Sequence, residues 1–427
     1  MGLRTESVAR LRSSLATSLF RNSFFLLTTA ALGNALGFVF WLAVARSYSP
    51  ADVGLSATVW GVILFLAGAG SLGLPYGVIR FLPSEGDRPR LLNAAFVVSG
   101  TASALLGILF LAGLDLWAPT LTFLAADPLL AAMCTASIAG FGMVAVLDAA
   151  FVASRRAEYG MIRSVLFGVL RLPIPVFLAA LGILGIILAW TVALGVSLVI
   201  GIFLLLPRVA PGFRSSPSLD AIRGGGMLGY SLWNQGAALT AAVPMSLLPL
   251  VILNAPASQG GAEASAFFFA AAAIAGVLYV IPSAFTTSLF VEGSHPNRSY
   301  ARDVRHTIGF SLALLAMGIL CSVLLGRWLL GFFGAAYATA GYAALVLLAL
   351  ASPVILANNL FATELRIAKR IRPLFAITVL ASGVILLLAL AFLPVWGIAG
   401  AAAAFGLGQA LAAPLFAYER RRNGTTA

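Results

Sequence analysis

Apolar residues in this chain run in long blocks, and polar residues gather in the short gaps between them. An α-helix rises 1.5 Å per residue, so ~20 apolar residues cross the ~30 Å hydrocarbon core of a bilayer. Scanning for such blocks predicts about twelve helices. They lie near residues 24–45, 53–79, 91–113, 128–153, 161–182, 184–206, 227–253, 263–290, 307–330, 336–361, 373–393 and 396–418. Only "LGILG" separates the two members of the pair 161–206. Between the first two blocks stands "VARSYSPADVGLSA", residues 44–57. It predicts a short polar hinge, with Pro50 opening the second helix where its missing N–H costs nothing.

The gaps alternate in charge. Those after even-numbered blocks are "RFLPSEGDRPR", "RRAEYGMIR", "PRVAPGFRSSPSLDAIR", "EGSHPNRSYARDVRH" and "ELRIAKRIRP". With the N-terminal segment and the tail "YERRRNGTTA" they hold 23 of the 26 Lys and Arg; the exceptions are Arg46, Arg171 and Arg327. Basic residues hold loops on the cytoplasmic side. Both termini are therefore expected inside, and the hinge at 44–57 outside. The odd gaps are short, several carry only acids (Asp115, Asp127, Glu263), and none is long enough for a folded domain.

Composition agrees. The 427 residues are 61% hydrophobic and 9% charged, against about 25% charged in a soluble domain. A net charge of +12 would suggest nucleic acid in a soluble chain; here it reads as membrane topology, and no nucleic-acid partner is expected. Cys134 and Cys321 both lie in apolar blocks and match no disulfide or metal spacing, so neither a metal nor a cofactor is expected. The start of the chain lacks the cleavage site of a signal peptide. Residues 1–22, with Val8, Leu11 and Leu15 near one helical face among Arg4, Arg10 and Arg12, suit either a helix lying on the cytoplasmic surface or a disordered tail.

The two halves echo one another. Pro75 precedes Glu85-Gly86 as Pro282 precedes Glu292-Gly293. "AAFVASRRAEYGMIR" resembles "NNLFATELRIAKRIR", 209 residues later, and "GILGIILAW" resembles "GIAGAAAAF". Three echoes in one order predict a duplication of six helices, with the repeat axis along the membrane normal, as in transporters. The expected organisation is a cytoplasmic segment 1–22, a first lobe 23–206, a cytoplasmic linker 207–226, a second lobe 227–418 and a cytoplasmic tail 419–427. The fold class is all-α and polytopic, two six-helix lobes with both termini cytoplasmic.

Several motifs carry no chemistry. "GAGSLG" (Gly68, Gly70, Gly73) matches a dinucleotide fingerprint but lies inside a span, where small residues serve close helix packing. No P-loop is present and Lys369 is the only lysine. The sequons at Asn297 and Asn423 fall on the expected cytoplasmic side, and His295 and His306 share one loop there.

Ionisable residues inside hydrocarbon cost several kcal/mol and mark pathways. Asp148 lies seven residues before Arg155, ~10 Å deep, and Arg171 eight residues past Arg163, ~12 Å deep. They could form a structural pair, or Arg171 could bind an anionic headgroup beside that carboxylate. Asn34, Asn234 with Gln235, Asn358 with Asn359, and Gln409 add amides to helices one, seven, ten and twelve. Such groups either line a cavity or simply bond helices together. Arg46 in the hinge either meets anionic headgroups or anchors the interface. The substrate-binding candidates are Asn34, Arg46, Asp148, Arg171, Asn234, Gln235, Asn358 and Asn359.

The stretch "LGNALGFVFWLAVARSYSPADVGLSATVWGVILFLAGAGSLGLPYGVIRFLP" resembles the opening of the oligosaccharide-lipid flippases, the polysaccharide transporters of the MOP superfamily. The matching features are Arg46, Pro50 to Gly54, "LGLP" and Arg80, together with "GIAGAAAA" opening the last helix. The resemblance implies a MATE-like fold. It implies export of a polyprenyl-pyrophosphate-linked oligosaccharide across the cytoplasmic membrane, for surface polysaccharide, by alternating access between two lobes. Membrane lipids are the implied surroundings, H+ and Na+ the open choices of coupling ion, and a monomer the expected state. Phe40-Trp41 stands where lipid II flippases carry a charged pair, which argues against a peptidoglycan precursor. A cation-coupled multidrug antiporter of the same superfamily is the alternative. A membrane-embedded glycan polymerase or ligase would need a sizeable outward loop, so no enzyme activity is expected.

Overall fold

The computed structural model describes residues 25–26, 28–213, 227–255, 261–293, 300–368 and 370–424. The N-terminal segment 1–22, residues 214–226 of the linker, His295 and the sequon asparagine Asn297 lie outside them. Every regular element among the described residues is helical.

Ten described helices are long and apolar enough to cross a membrane, and the bent pair Met227–Gly236 and Ala238–Leu253 passes the same test when its members are taken together. One of the ten, Arg372–Arg420, is broken at Gly397. Each of the expected blocks therefore has its helical counterpart. The principal helices are α1 (Thr28–Ser47), α2 (Pro50–Gly70), α3 (Leu74–Phe81), α4 (Arg88–Ala112), α5 (Pro128–Ala153), α6 (Ala157–Leu170) and α7 (Ile183–Ile200). They continue as α8 (Met227–Leu253), α9 (Ala262–Gly293), α10 (Tyr300–Gly331), α11 (Tyr342–Leu350), α12 (Ser352–Ile367) and α13 (Ile371–Gly424).

Some boundaries differ from the sequence reading, each for a local reason. The block 53–79 is two helices, because the chain turns at Leu72 and Gly73, both with positive φ, before Pro75 restarts it as α3. The block 161–182 ends as a regular helix at Leu170, and Pro173 and Pro175 lie in a five-residue helix beyond the break. The expected tail at 419 continues α13 as helix to Gly424, where Glu419 bonds to Arg370 and to Arg422.

The chain divides into two compact units. The first comprises Met1–Ser47, Leu66–Trp117 and Leu121–Gln235. Its core joins Leu74 and Val78 of α3, Leu91, Leu92 and Phe96 of α4, Val146, Leu147 and Phe151 of α5, and Leu205 and Leu206 beyond α7. The fully buried Trp190 stands 6.4 Å from Trp41, which packs edge-on to Phe40.

The second unit comprises Tyr48–Phe65, Ala118–Thr120 and Gly236–Ala427. Here α2 begins as the hinge predicts. Ser49 caps it by accepting from the Asp52 N–H at 3.1 Å, and its hydroxyl donates to the Asp52 carboxylate at 2.7 Å. The same helix lays small residues against its neighbours: Thr58 shares a 2.8 Å hydroxyl bond with Ser265 of α9. A Cβ at Gly54 would stand 1.7 Å from the Ala262 carbonyl oxygen. In this unit α12 packs on α9 and α13.

The repeat extends to the backbone. Gly182, opening "GILGIILAW", has φ 55° and ψ −140°; Gly397, opening "GIAGAAAAF", has φ 57° and ψ −143°. That conformation is open almost only to glycine. The same residue makes the same reversal in both halves.

Candidate functional site

The charged site of the first unit is built on the hairpin between α5 and α6. Helix α5 ends at Ala153 with Ser154 as its C-cap. Arg155 then takes the left-handed conformation, φ 55°. Its N–H reaches the Val152 carbonyl at 3.0 Å, and the Arg156 N–H reaches the Phe151 carbonyl at 2.9 Å. This is a Schellman closure with arginine in place of the usual glycine. It reverses the chain within three residues, so positions about equally far on either side of it lie at similar depth.

Asp148 and Arg163 are such positions. Arg163 donates Nε to Asp148 Oδ1 at 2.8 Å and Nη2 to Oδ2 at 2.7 Å. The arginine side chain is 7% exposed and the aspartate 39%, so the cation is sealed in and the carboxylate looks outward. Gly201 lies against Leu147 and the Arg163 stem, and it opens a π-helical turn over Gly201–Leu205. Such turns concentrate at functional sites in helices. Asp148 thus takes Arg163, not Arg171, as its partner. The sequence reading placed Arg163 in a surface gap and overlooked it.

Arg171 occupies a different setting. It is the C-cap of α6, 5% exposed, and its guanidinium carbon stands 4.7 Å from the ring centres of both Phe40 and Phe167. A Cβ at Gly37 would lie 3.3 Å from Arg171 Nη2, so α1 offers this cation its smallest side chain. Two aromatic faces hold the guanidinium plane. The fold thus brings Phe40, Phe167 and Arg171 together, and Arg163, which pairs with Asp148 of α5, lies on the same helix α6 as Phe167.

The other candidates are dispersed. Asn34 is exposed on α1, and Arg46 is exposed at its end. Asn234 donates to the Tyr230 carbonyl of its own helix at 2.8 Å, and Gln235 donates to the Gly68 carbonyl at 2.7 Å. Gly68 belongs to "GAGSLG", whose Gly70 lies directly on Ser103 of α4. In the second unit the Asn358 amide donates to both the backbone oxygen and the side-chain Oε1 of Gln409, each at 2.9 Å. Asn359 is partly buried beside it in sequence. Gln235 and Asn358 thus bond between helices, and Asn234 bonds within its own. A cation that sequence reasoning left in a loop, Arg80, lies 4.4 Å over the Tyr230 ring.

No family model and no curated protein matches the chain. Solved structures do. An inward-facing multidrug resistance transporter of the MATE family in the MOP superfamily superposes with TM-score 0.69 at 18% identity, over 92% of this chain and 94% of its own. The lipid II flippase MurJ, in an inward closed conformation, gives TM-score 0.71 at 12% identity, over 94% and 87%. The fold is that of the MATE transporters and MurJ. A mutant of the Vibrio cholerae MATE transporter VcmN adds TM-score 0.61 at 18% identity, over 97% and 98%. The chain is a multi-pass membrane protein with the architecture of transporters.

Proposed function

We propose that this protein flips a polyprenyl-pyrophosphate-linked oligosaccharide across the cytoplasmic membrane, for surface polysaccharide biosynthesis, by alternating access between its two lobes. The observation that carries this reading is the charge inventory around α6. Each acid there has an arginine partner, Asp148 with Arg163 and Glu158 with Arg156, while Arg171, deeper along the chain, is held between two phenyl rings. Arg171 carries the sign that an anionic pyrophosphate requires. Moving a bare charged headgroup through hydrocarbon is prohibitive, so its carrier must offer a fixed cation inside the protein. The likeness to MurJ, itself a lipid II flippase, supports a lipid-linked substrate. No catalytic activity is proposed, and H+ or Na+ supplies the driving gradient.

The second reading is a cation-coupled multidrug antiporter. The likeness to MATE transporters and the 39% exposure of the Asp148 side chain favour it. Deleting the gene separates the two. The flippase reading expects lipid-linked oligosaccharide to build up on the cytoplasmic leaflet, surface glycan to fall, and drug susceptibility to stay unchanged. Normal surface glycan with hypersensitivity to several cationic drugs would establish the antiporter instead.

A further inference from the structure

A cavity of about 250 Å³ lies in the second unit, walled by Leu312 of α10 and by Pro353, Ala357, Leu360 and Phe361 of α12. Its lining includes one charged pair, Glu364 with Arg420. The α12 residues fall at helical spacing on one face, so the cavity is a trough along that helix. From Pro353 to Glu364 it runs ~16 Å, about half the ~30 Å hydrocarbon core and so the depth of a single leaflet.

The trough has no counterpart charge along its wall. At the 209-residue offset between the halves, Ala357 stands where the first half has Asp148. A methyl replaces the carboxylate, and space replaces the ion pair. The end of the trough is different. Arg420 Nε forms an ion pair with Glu364 at 3.0 Å, and its guanidinium stacks 5.6 Å over Phe361. The side chain is still 58% exposed, with the ion-pair contact to Glu364 on Nε and the Nη edge beyond it. That edge is the fork that matches a phosphate. Beside it Arg370 and Arg422 both pair with Glu419, so at this mouth three arginines meet two glutamates. The mouth is cationic and the trough apolar.

We propose that this trough holds one acyl chain of an anionic phospholipid from the leaflet on the Arg420 side, with its phosphate on the Arg420 guanidinium. The ligand is a resident lipid of the second unit, distinct from the transported substrate. A glutamate partner and a phenyl ring preorganise the arginine, so binding the phosphate immobilises little more of the protein.

The test uses the full-length protein purified in detergent and stripped of lipid, titrated with phosphatidylglycerol, phosphatidylcholine or undecaprenyl phosphate. Phosphatidylglycerol should raise the unfolding midpoint by about 5 °C at saturation, and should persist on the protein in native mass spectra. Ala357→Phe fills the trough and Arg420→Gln removes the phosphate fork. Each should abolish the shift while eluting as a single species with an unfolding midpoint near that of the lipid-free parent. Leu360→Trp provides a second filled trough should Ala357→Phe not fold. An equal shift in the filled variants would overturn the proposal, as would equal protection by phosphatidylcholine. Protection by undecaprenyl phosphate but not by phosphatidylglycerol would also overturn it, assigning the trough to an isoprenoid tail.

Discussion

Arg163 grips both carboxylate oxygens of Asp148 across the α5–α6 hairpin, at 2.8 and 2.7 Å, with the arginine sealed and the aspartate half open. A pair of this kind is easier to break than to remove, because a lone charge in an apolar setting is worse than none. Arg163→Met should therefore destabilise by about 2–3 kcal/mol, below the 3–5 of a fully buried pair because Asp148 is partly exposed. Asp148→Asn combined with Arg163→Met should recover most of that loss. Unfolding midpoints in detergent would decide it; an additive double mutant would show that the two do not act as a pair.

Arg171 is held by Phe40 and Phe167, so its role separates from that of Asp148. Arg171→Ala should abolish transport while the protein still inserts at normal levels, and Arg171→Lys should keep part of it. Phe40→Leu should lower transport less than Arg171→Ala, since it loosens the cation without removing it; each cation–π contact contributes ~1–2 kcal/mol when desolvated. Flipping of a labelled lipid-linked glycan in vesicles is the readout. Full activity of Arg171→Ala would remove this residue from the substrate path.

Gly54 is a packing position. A Cβ there would enter the Ala262 backbone, whereas a Cβ at Gly86 meets nothing within 4 Å. Gly54→Ala should destabilise by about 1–3 kcal/mol, the usual cost of overpacking. Gly86→Ala should change stability by less than ~0.5 kcal/mol, as for an ordinary surface site. Equal midpoints for the two variants would refute the close contact.

Tyr48 lies between the first two spans and is buried. Burial, and after it the Asp52 carboxylate, push its phenol up from 10.0 to about 12. A pKa raised on folding contributes stability that is complete below the unfolded value and lost as pH rises through the folded one. Unfolding midpoints should fall between pH 10 and 12, and Tyr48→Phe should flatten that part of the profile. An unchanged alkaline profile in the variant would assign the loss to other groups.

The expected topology is testable by single cysteines in a background lacking Cys134 and Cys321. Cysteines at Gly86, Ser216 and Asn297 should resist an impermeant thiol reagent in intact cells, while those at Ser49 and Ser258 should react. Labelling of the Ser216 position from outside would invert the assignment.

Helix number, the hinge at Ser49-Pro50 and the repeat of Gly182 in Gly397 were legible in the sequence, because each depends on local matters. A bilayer demands a continuous apolar run, proline cannot continue a helix backwards, and one backbone conformation admits only glycine. The pairing of charges was not legible. In sequence Arg163 closes a basic gap and so reads as the surface, whereas the reversal centres on Ser154–Arg156 and places Arg163 level with Asp148. A count outward from that turn, six residues back to Asp148 and seven on to Arg163, is the available signal. Which face of α6 meets α5, and which rings close on Arg171, depends on helix rotation in three dimensions. Apolar helices carry little periodic contrast to fix that rotation, so packing of Gly37, Phe40 and Gly201 against their neighbours decides it.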